Sequence, residues 1–248
     1  DRETAKIDAL IAEQQRLIEL LQEKRQAVIS HAVTKGLNPD APMKDSGVKW
    51  LGEVPEHWEV AAIKWTARIN SGKALDPSQV ISAEPNDADA VRLIGGNGLI
   101  GYTGQSLTKS PSIIIGRVGA LCGNVHHELA ACWVTDNALI LRANPETWHL
   151  GYLSLCLKAR NLNQLASKTA QPLIVGSDVS SQLVPIPPLE EQVLIESYIQ
   201  GRLLEFESLL ASLSQVNACL KERRSALISA AVTGQIDVRG LVPEAVAQ

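Results

Sequence analysis

The sequence predicts an α+β protein, in which a globular domain with a small mixed β-sheet is flanked by two long helices that form an antiparallel coiled coil. Three observations support this prediction. Apolar residues follow a heptad spacing near the start of the 248-residue chain, and a related helical segment returns near its end. The region between the two segments has short β-branched runs that glycine and proline separate.

One helical segment occurs twice. Residues 23–34 read EKRQAVISHAVT and residues 222–233 read ERRSALISAAVT, 199 positions later, with eight of the twelve positions identical. A short period would indicate a solenoid of stacked repeats. One copy on each side of a domain's length of unrelated sequence indicates two equivalent helical arms instead. Function is then expected in the domain, and the arms are expected to set its placement.

Both arms carry a heptad seam, in which the spacing alternates between four and three residues. The polar seam residues Arg25, Asn217 and Arg224 would cost stability while fixing the register of the pair. The apolar residues predicted to pair the helices are Ile7, Ile11, Ile18, Leu21 and Val28 in the first arm, and Phe206, Leu210, Leu213, Leu220 and Leu227 in the second.

Connectivity predicts that the two helices run antiparallel. The first helix is expected to stop at Gly36, where the domain begins, and the second to start at Pro188, where the domain ends. Gly234 is the expected stop of the second helix. Because the termini of a domain usually lie close together, the helices are expected to leave the domain side by side.

Between the arms, short apolar runs predict strands because turn-forming residues interrupt them. Helical periodicity appears once in this region, over residues 149–165. The predicted strands are residues 63–69, 91–94, 112–115, 133–135 and 138–142.

Composition excludes several classes of protein. The sequence has no run of about 20 apolar residues and no signal-peptide pattern, which predicts a cytoplasmic protein without a membrane partner. Four cysteines without a CxxC motif predict reduced thiols. The net charge is −4, but residues 60–180 hold ten basic and eight acidic residues, so this region is locally positive. A local positive charge is compatible with a polyanionic partner.

Two apparent motifs do not make a catalytic or metal site. Residues 96–101 fit GxGxxG, but Tyr102-Thr103-Gly104 opposes the helix that a dinucleotide site requires, and the acidic residue expected about 20 positions later is missing. Cys122, His126, His127 and Cys132 match no standard zinc spacing. Two alternatives stay open: a nucleotide-binding enzyme that uses residues 96–101, and a coiled-coil adaptor whose domain binds protein.

Polar side chains on glycine-rich or turn segments favour DNA as the partner. Arginine and lysine bind guanine edges or phosphates, and asparagine or glutamine can pair with adenine. For any one of these residues a solvated loop is the commoner explanation, but as a set in one domain they indicate a DNA-binding surface. The phosphate candidates are Lys73, Lys109 and Lys168, and the base-edge candidates are Asn97, Gln105, Arg117 and Gln171.

Five segments, in order along the chain, resemble the specificity subunit of type I restriction-modification enzymes. Residues 45–58 (DSGVKWLGEVPEHW) resemble the start of that family's target recognition domain. Residues 97–102 (NGLIGY) and 115–119 (IGRVG) resemble its central segments. Residues 169–172 (TAQP) and 186–192 (IPPLEEQ) resemble its passage into the conserved helix.

The resemblance implies a non-catalytic reader of double-stranded DNA that also acts as a scaffold. The family's subunit recruits two methyltransferase (modification) subunits and, for cleavage, restriction subunits. It implies no cofactor in this chain, with S-adenosylmethionine, ATP and Mg expected on the partner subunits. On this basis residues 1–36 and 188–235 would be spacer helices, residues 37–187 the target recognition domain, and residues 236–248 a C-terminal tail.

The chain departs from the family pattern in one respect. The family's subunit has two recognition domains, each reading half of a split target, whereas this sequence has one. Since the chain opens on Asp1 inside a helical pattern, it is expected to be the C-terminal half of a longer subunit, or else a half-subunit that pairs with a second copy of itself. Base-reading residues differ between members, so none carries over by motif.

Overall fold

The computed structural model describes residues 2–81, 90–109, 111–167 and 171–236. The chain divides into two compact units. Residues 28–199 form the globular unit, and residues 1–27 together with 200–248 form the helical unit. The boundaries predicted from the sequence, at 36/37 and 187/188, stay predictions. No helix of the described residues is both long enough and apolar enough to cross a membrane.

Two long helices pack together, which confirms the predicted fold class. Helix α1 is Arg2–Lys35 and helix α4 is Leu189–Val232. Each ends at a glycine with positive φ, Gly36 (φ 73°) and Gly234 (φ 72°), as the sequence predicted. In the helical unit Arg224 binds Asp8 through two contacts, Nε to Oδ1 at 2.5 Å and Nη2 to Oδ2 at 3.2 Å. A residue near the start of α1 therefore meets one near the end of α4, so the pair is antiparallel.

Exposure along both helices follows the heptad seams. Ile7, Phe206 and Asn217 are buried. Val28 departs from the pattern, because its neighbour Ile29 is the more buried of the two. The seam positions that are less exposed than both neighbours are Ile11, Ile18, Leu21, Leu210, Leu213, Leu220 and Leu227. Gln14 lies six residues after Asp8 and Asn217 lies seven residues before Arg224, so these two polar side chains occupy the same layer of the antiparallel pair. The pairing roles predicted for the individual seam residues stay predictions.

The globular unit contains eleven strands and two short helices among its described residues. Short strands dominate because apolar runs in this region rarely exceed five residues before a turn-forming residue. The strands are β1 Met43–Asp45, β2 Glu53–Pro55, β3 Glu59–Ala62, β4 Ala67–Ser71, β5 Val91–Gly95, β6 Gly98–Thr103, β7 Ser112–Gly116, β8 Val125–Glu128, β9 Cys132–Val134, β10 Ala138–Ala143 and β11 Leu183–Ile186, and the helices are α2 Leu150–Arg160 and α3 Gly176–Ser180.

Two sheets form the centre of this unit. One is antiparallel, with strand order β4-β10-β7-β8. The other is mixed, with order β6-β5-β9, because β5 pairs antiparallel with β6 and parallel with β9. Apolar side chains from both sheets form one buried cluster between them, including Ile94, Val134, Ile114 and Ile140. Two-stranded sheets β1-β2 and β11-β3 complete the pairing among the described residues.

Two local predictions were wrong. Residues 63–69 were predicted to form one strand, but Ile63–Trp65 is a 3-10 turn and β4 begins at Ala67. The reason is a pair of hydrogen bonds: Ile63 N–H donates to Gln182 O (3.1 Å), and Thr66 N–H donates to Ile63 O (3.0 Å), which closes the turn. No strand was predicted in the glycine-rich segment 96–101, but strand β6 begins within it, at Gly98.

Buried polar contacts fix the first turn of α4 within the globular unit. The Gln192 side chain is fully buried and donates from Nε2 to Thr147 O (2.9 Å) and Pro187 O (2.8 Å). Its Oε1 accepts from His149 N–H (2.8 Å). The neighbouring Glu191 carboxylate accepts from Trp58 Nε1 (2.7 Å). The Trp58–Glu191 bond joins the two segments, 45–58 and 186–192, that begin and end the region of family resemblance.

Candidate nucleic-acid interface

One end of the two central sheets collects five loops. Strand β10 begins where β4 and β7 finish, because Leu139 pairs with Ser71 and Ala138 pairs with Gly116. Strand β9 runs parallel to β5, so both finish at this same end. We call this region the loop end; it consists of residues 72–73, 96–97, 117–124, 135–137 and 171–174.

Four residues selected from the sequence lie at the loop end: Lys73, Asn97, Arg117 and Gln171. The Lys73 N–H donates to Val134 O (2.9 Å), and its carbonyl accepts from Trp133 Nε1 (3.0 Å). The Arg117 N–H donates to Asn137 O (2.9 Å). Gly96, next to Asn97, packs so closely that an added Cβ would lie 2.9 Å from the same Asn137 carbonyl. Backbone contacts therefore hold these loops together, while the Lys73 and Asn97 side chains are exposed.

Asn124 belongs to the same surface, although the sequence did not single it out. Its Nδ2 donates to Asn97 Oδ1 (3.1 Å). The pairing leaves the Asn97 amide hydrogens as donors and the Asn124 carbonyl oxygen as an acceptor. A donor beside an acceptor is the pattern that complements the major-groove edge of adenine. The only sequence signal for Asn124 is its place after Gly123, just before β8.

The loop that bears Arg117 is held in one conformation. Gly123 has φ 89°, and a Cβ there would lie 2.5 Å from Asn163 N, so the loop packs directly on the backbone of residues 162–163. The Asn163 side chain donates to Cys122 O from the same side. Arg117 Nε is buried and makes no hydrogen bond among the described residues. A rigid loop reduces the ordering cost of binding.

Gln171 lies at the edge of this loop. Gly119 N–H donates to Pro172 O (3.0 Å), and Ile174 N–H donates to Arg117 O (2.9 Å), so residues 172–174 run along the Arg117 loop. Lys168, a phosphate candidate from the sequence, lies outside the described residues.

Gln105 and Lys109 lie at the opposite end of the mixed sheet. They follow β6, which runs antiparallel to β5 and so finishes away from the loop end. Leu107 N–H and Thr108 N–H both donate to Cys132 O (2.9 Å each), at the first residue of β9. The structure therefore does not bring these two residues together with Asn97 and Arg117. Sequence order alone could not separate them, because the separation depends on strand direction.

His126 packs against the β5-β6 turn, next to the loop end. A Cβ on Gly98 would lie 3.2 Å from His126 Cε1, so the imidazole fills the space beneath the β5-β6 turn. Burial lowers the pKa of His126, and the positive charge of Lys158 lowers it further. The ring is therefore neutral at pH 7 and acts as a packing group.

The structure removes the basis of the nucleotide-site alternative. After Asn97 the chain continues as strand β6, so no helix N-terminus follows the GxGxxG segment to hold a pyrophosphate. Cys122 and Cys132 are buried free thiols. Within the part of the chain that the structure describes, no group of three His, Cys, Asp or Glu side chains could hold a metal ion.

A comparison with protein families decides the class. Residues 55–202 match the type I restriction modification DNA specificity domain. The chain belongs to this family. The matched region covers nearly all of the described strands, the loop end, and the first turns of α4. Family membership places the chain among specificity subunits, which typically bind no cofactor themselves.

Relatives of this specificity domain agree with the assignment. The chain is 33% identical over 150 residues to the type I restriction enzyme EcoprrI specificity subunit of Escherichia coli, covering 60% of this chain and 36% of the relative. The crystal structure of the HsdS subunit from Thermoanaerobacter tengcongensis shares the fold with a TM-score of 0.54 at 18% identity, over 95% of this chain and 58% of that one.

A second solved chain, from a type I R-M system studied for complex assembly and conformational transition, has a TM-score of 0.64 at 19% identity. The matched region covers 93% of the chain described here and 58% of the solved chain. The specificity domain described here thus spans between one third and three fifths of the length of these relatives.

Proposed function

We propose that this chain reads one half of a bipartite DNA target as the specificity component of a type I restriction-modification system. The observation that carries the proposal is the loop end, where Lys73, Asn97 and Arg117 meet on loops fixed by backbone hydrogen bonds. These residues were selected for their chemistry from three distant parts of the sequence. Their convergence on one surface supports a shared ligand.

Each residue has a role that its chemistry suggests. Lys73 contacts a phosphate, Arg117 binds a guanine edge, and the Asn97–Asn124 pair binds an adenine edge, all in the major groove. Gln171, beside the Arg117 loop, is a further base-edge candidate. Gln105, Lys109 and Lys168 keep their predicted roles in DNA binding, with Gln105 and Lys109 at the far end of the mixed sheet.

The helical unit acts as a spacer and a scaffold. The buried seam around Ile7 and Phe206 pairs α1 with α4, which sets the distance between two half-sites. The proposed partners are two methyltransferase subunits and, for cleavage, restriction subunits. S-adenosylmethionine, ATP and Mg bind to those partner subunits, and the complex works in the cytoplasm. The second half-site is read either by a further domain of a longer subunit or by a second copy of this chain.

Methylation mapping tests the proposal. The chain is co-expressed with its cognate methyltransferase in a host that lacks other modification enzymes, and methylated bases are mapped across the genome. We expect one split motif that is absent when the chain is omitted. A continuous motif, or methylation that does not depend on the chain, would refute the proposal. A palindromic motif would indicate two copies of the chain.

Variants of the loop end then test the assigned roles. Arg117→Ala should weaken binding of the complex to its mapped site by about 1–3 kcal/mol and relax specificity at a single position. Asn38→Ala, an exposed substitution of the α1–β1 connection, is the matched control and should change neither quantity. If Arg117→Ala weakens all sequences equally, Arg117 contacts a phosphate and not a base.

A further inference from the structure

A second charged surface lies on the four-stranded sheet, away from the loop end. The register of β4 and β10 sets Arg68 directly opposite Arg142. Directly opposed residues of an antiparallel pair point to the same face, with their Cβ atoms about 5 Å apart. Two arginine side chains thus leave the same face of the sheet from adjacent positions.

No carboxylate among the described residues pairs with either arginine. Beyond the last β10–β7 pair, Leu141 with Ile113, the next residue of β7 towards this end is Ser112, which pairs with Glu128 on β8. Glu128 is already occupied, because its Oε2 lies 3.1 Å from Arg92 Nε. The acidic residues at 84, 87 and 89 lie outside the described residues. Since like charges directly opposite each other destabilise a sheet, an anion bound here would stabilise it.

These arginines continue into a polar strip along the sheet edge. Strand β4 is an edge strand, and its exposed residues Arg68 and Asn70 point to the same face because they are two positions apart. Lys73 follows at the loop end. We call Arg142, Arg68, Asn70 and Lys73 the β4 strip. From Arg68 to Lys73 it is about 16 Å long, at about 3.3 Å per residue.

We infer that the β4 strip binds the sugar-phosphate backbone of duplex DNA and guides it to the loop end. This inference rests on the proposed function and adds Arg68, Arg142 and Asn70 to it. Guanidinium groups form strong paired hydrogen bonds with phosphate, and the Asn70 amide can donate to a phosphate oxygen. Contacts of this kind carry no sequence information. The strip therefore contributes to affinity, and the loop end supplies specificity.

The test measures how salt affects DNA binding by the purified full chain. The probe is a fluorescein-labelled duplex of mixed sequence, about 30 base pairs long, and anisotropy is recorded between about 50 and 250 mM KCl. Each phosphate contact contributes about 0.9 to the slope of log K against log salt. The double variant Arg68→Gln with Arg142→Gln should lower the slope by about 2 and weaken binding at 100 mM KCl at least tenfold.

A matched control removes the same charge elsewhere on the globular unit. Lys44→Gln with Lys49→Gln deletes two positive charges from the β1-β2 hairpin region, and should leave the slope within about 0.5 of the unsubstituted chain. Glutamine keeps most of each side chain, and an unchanged melting temperature shows that a variant is folded. Sequence preference, measured as the methylated motif of the complex, should stay the same in both double variants.

Two results would overturn the inference. The first is an arginine double variant with the slope of the unsubstituted chain, or with the same reduction as the lysine control. The second is an arginine double variant that binds DNA normally but aggregates. That result would mean that the two arginines prevent edge-to-edge pairing of sheets instead of binding phosphate. Both results leave the proposed function intact. If the unsubstituted chain itself shows no salt-dependent binding, the proposed function fails together with the strip.

Discussion

Replacing Gln192 with leucine should destabilise the globular unit strongly, even though leucine fits the volume. The Gln192 side chain is fully buried and makes three hydrogen bonds, to Thr147 O, Pro187 O and His149 N–H. Leucine leaves all three backbone groups without this partner. The bond to Pro187 is buried, whereas those to Thr147 and His149 are partly buried.

The expected loss follows from these three bonds. An unsatisfied buried backbone group costs about 1–3 kcal/mol, and water can partly satisfy the two groups near the surface. Pro187 O contributes the full cost, and Thr147 O and His149 N–H contribute reduced costs. Burial of the apolar leucine side chain offsets part of this sum, so the free energy of unfolding should fall by about 3 kcal/mol. For a unit of this size, 1 kcal/mol corresponds to about 2–4 °C, so the melting temperature should fall by about 10 °C.

Urea unfolding followed by tryptophan fluorescence measures this loss. All five tryptophans lie between positions 50 and 148, so the signal reports the globular unit alone. Gln79→Leu, at an exposed position of the same globular unit, is the matched control, with an expected change within about 0.5 kcal/mol. Equal midpoints for the two leucine variants would show that the buried hydrogen bonds of Gln192 contribute nothing net.

Three further predictions concern other parts of the globular unit and the thiols. Burial lowers the pKa of both His126 and His127 below the ordinary 6.5, so the unfolded chain binds protons at a higher pH than the folded chain does. The free energy of unfolding should therefore decrease from pH 7 to pH 5. The decrease should be smaller in His126→Gln. Gly123→Ala should lower the melting temperature more than Gly119→Ala, because both have φ near 90° but only at Gly123 would a Cβ meet backbone at 2.5 Å; equal losses would exclude a clash. With a disulfide reagent at pH 8, the exposed Cys219 should react at once. The other three thiols are buried and should react only as the chain unfolds; burial also raises the pKa of Cys156 to about 12. A second fast thiol would contradict this.

The arms were predictable because their signals are local. A heptad spacing and a duplicated segment both lie within single helices, and the glycines that stop them act on their own turn. Strands β5, β7, β9 and β10 were also found from their apolar runs. Strand β8 was missed because its VHHE sequence has a single apolar residue, and β6 because its glycines resemble a loop.

The candidate site was predictable only in part. Side-chain chemistry identified Asn97 and Arg117, since asparagine and arginine beside glycine are typical of ligand-binding loops. The partner of Asn97 could not be found this way, because Asn124 lies 27 positions away and meets it only through the pairing of β7 with β8. The Arg68–Arg142 pair depends on the register of two strands 74 positions apart, which no local pattern encodes.

The segment that occurs in both helices gives the antiparallel pair an approximate two-fold symmetry. Asp8 contacts Arg224. The 199-residue offset relates Asp8 to Glu207 and Arg224 to Arg25, so an acidic and a basic residue occupy the layer that the two-fold axis relates to this contact. The exposed Leu10 likewise has a counterpart in the exposed Leu209. A half turn about an axis through the middle of the helix pair exchanges the two ends. At the duplicated positions, the two halves of the helix pair therefore present matching residues.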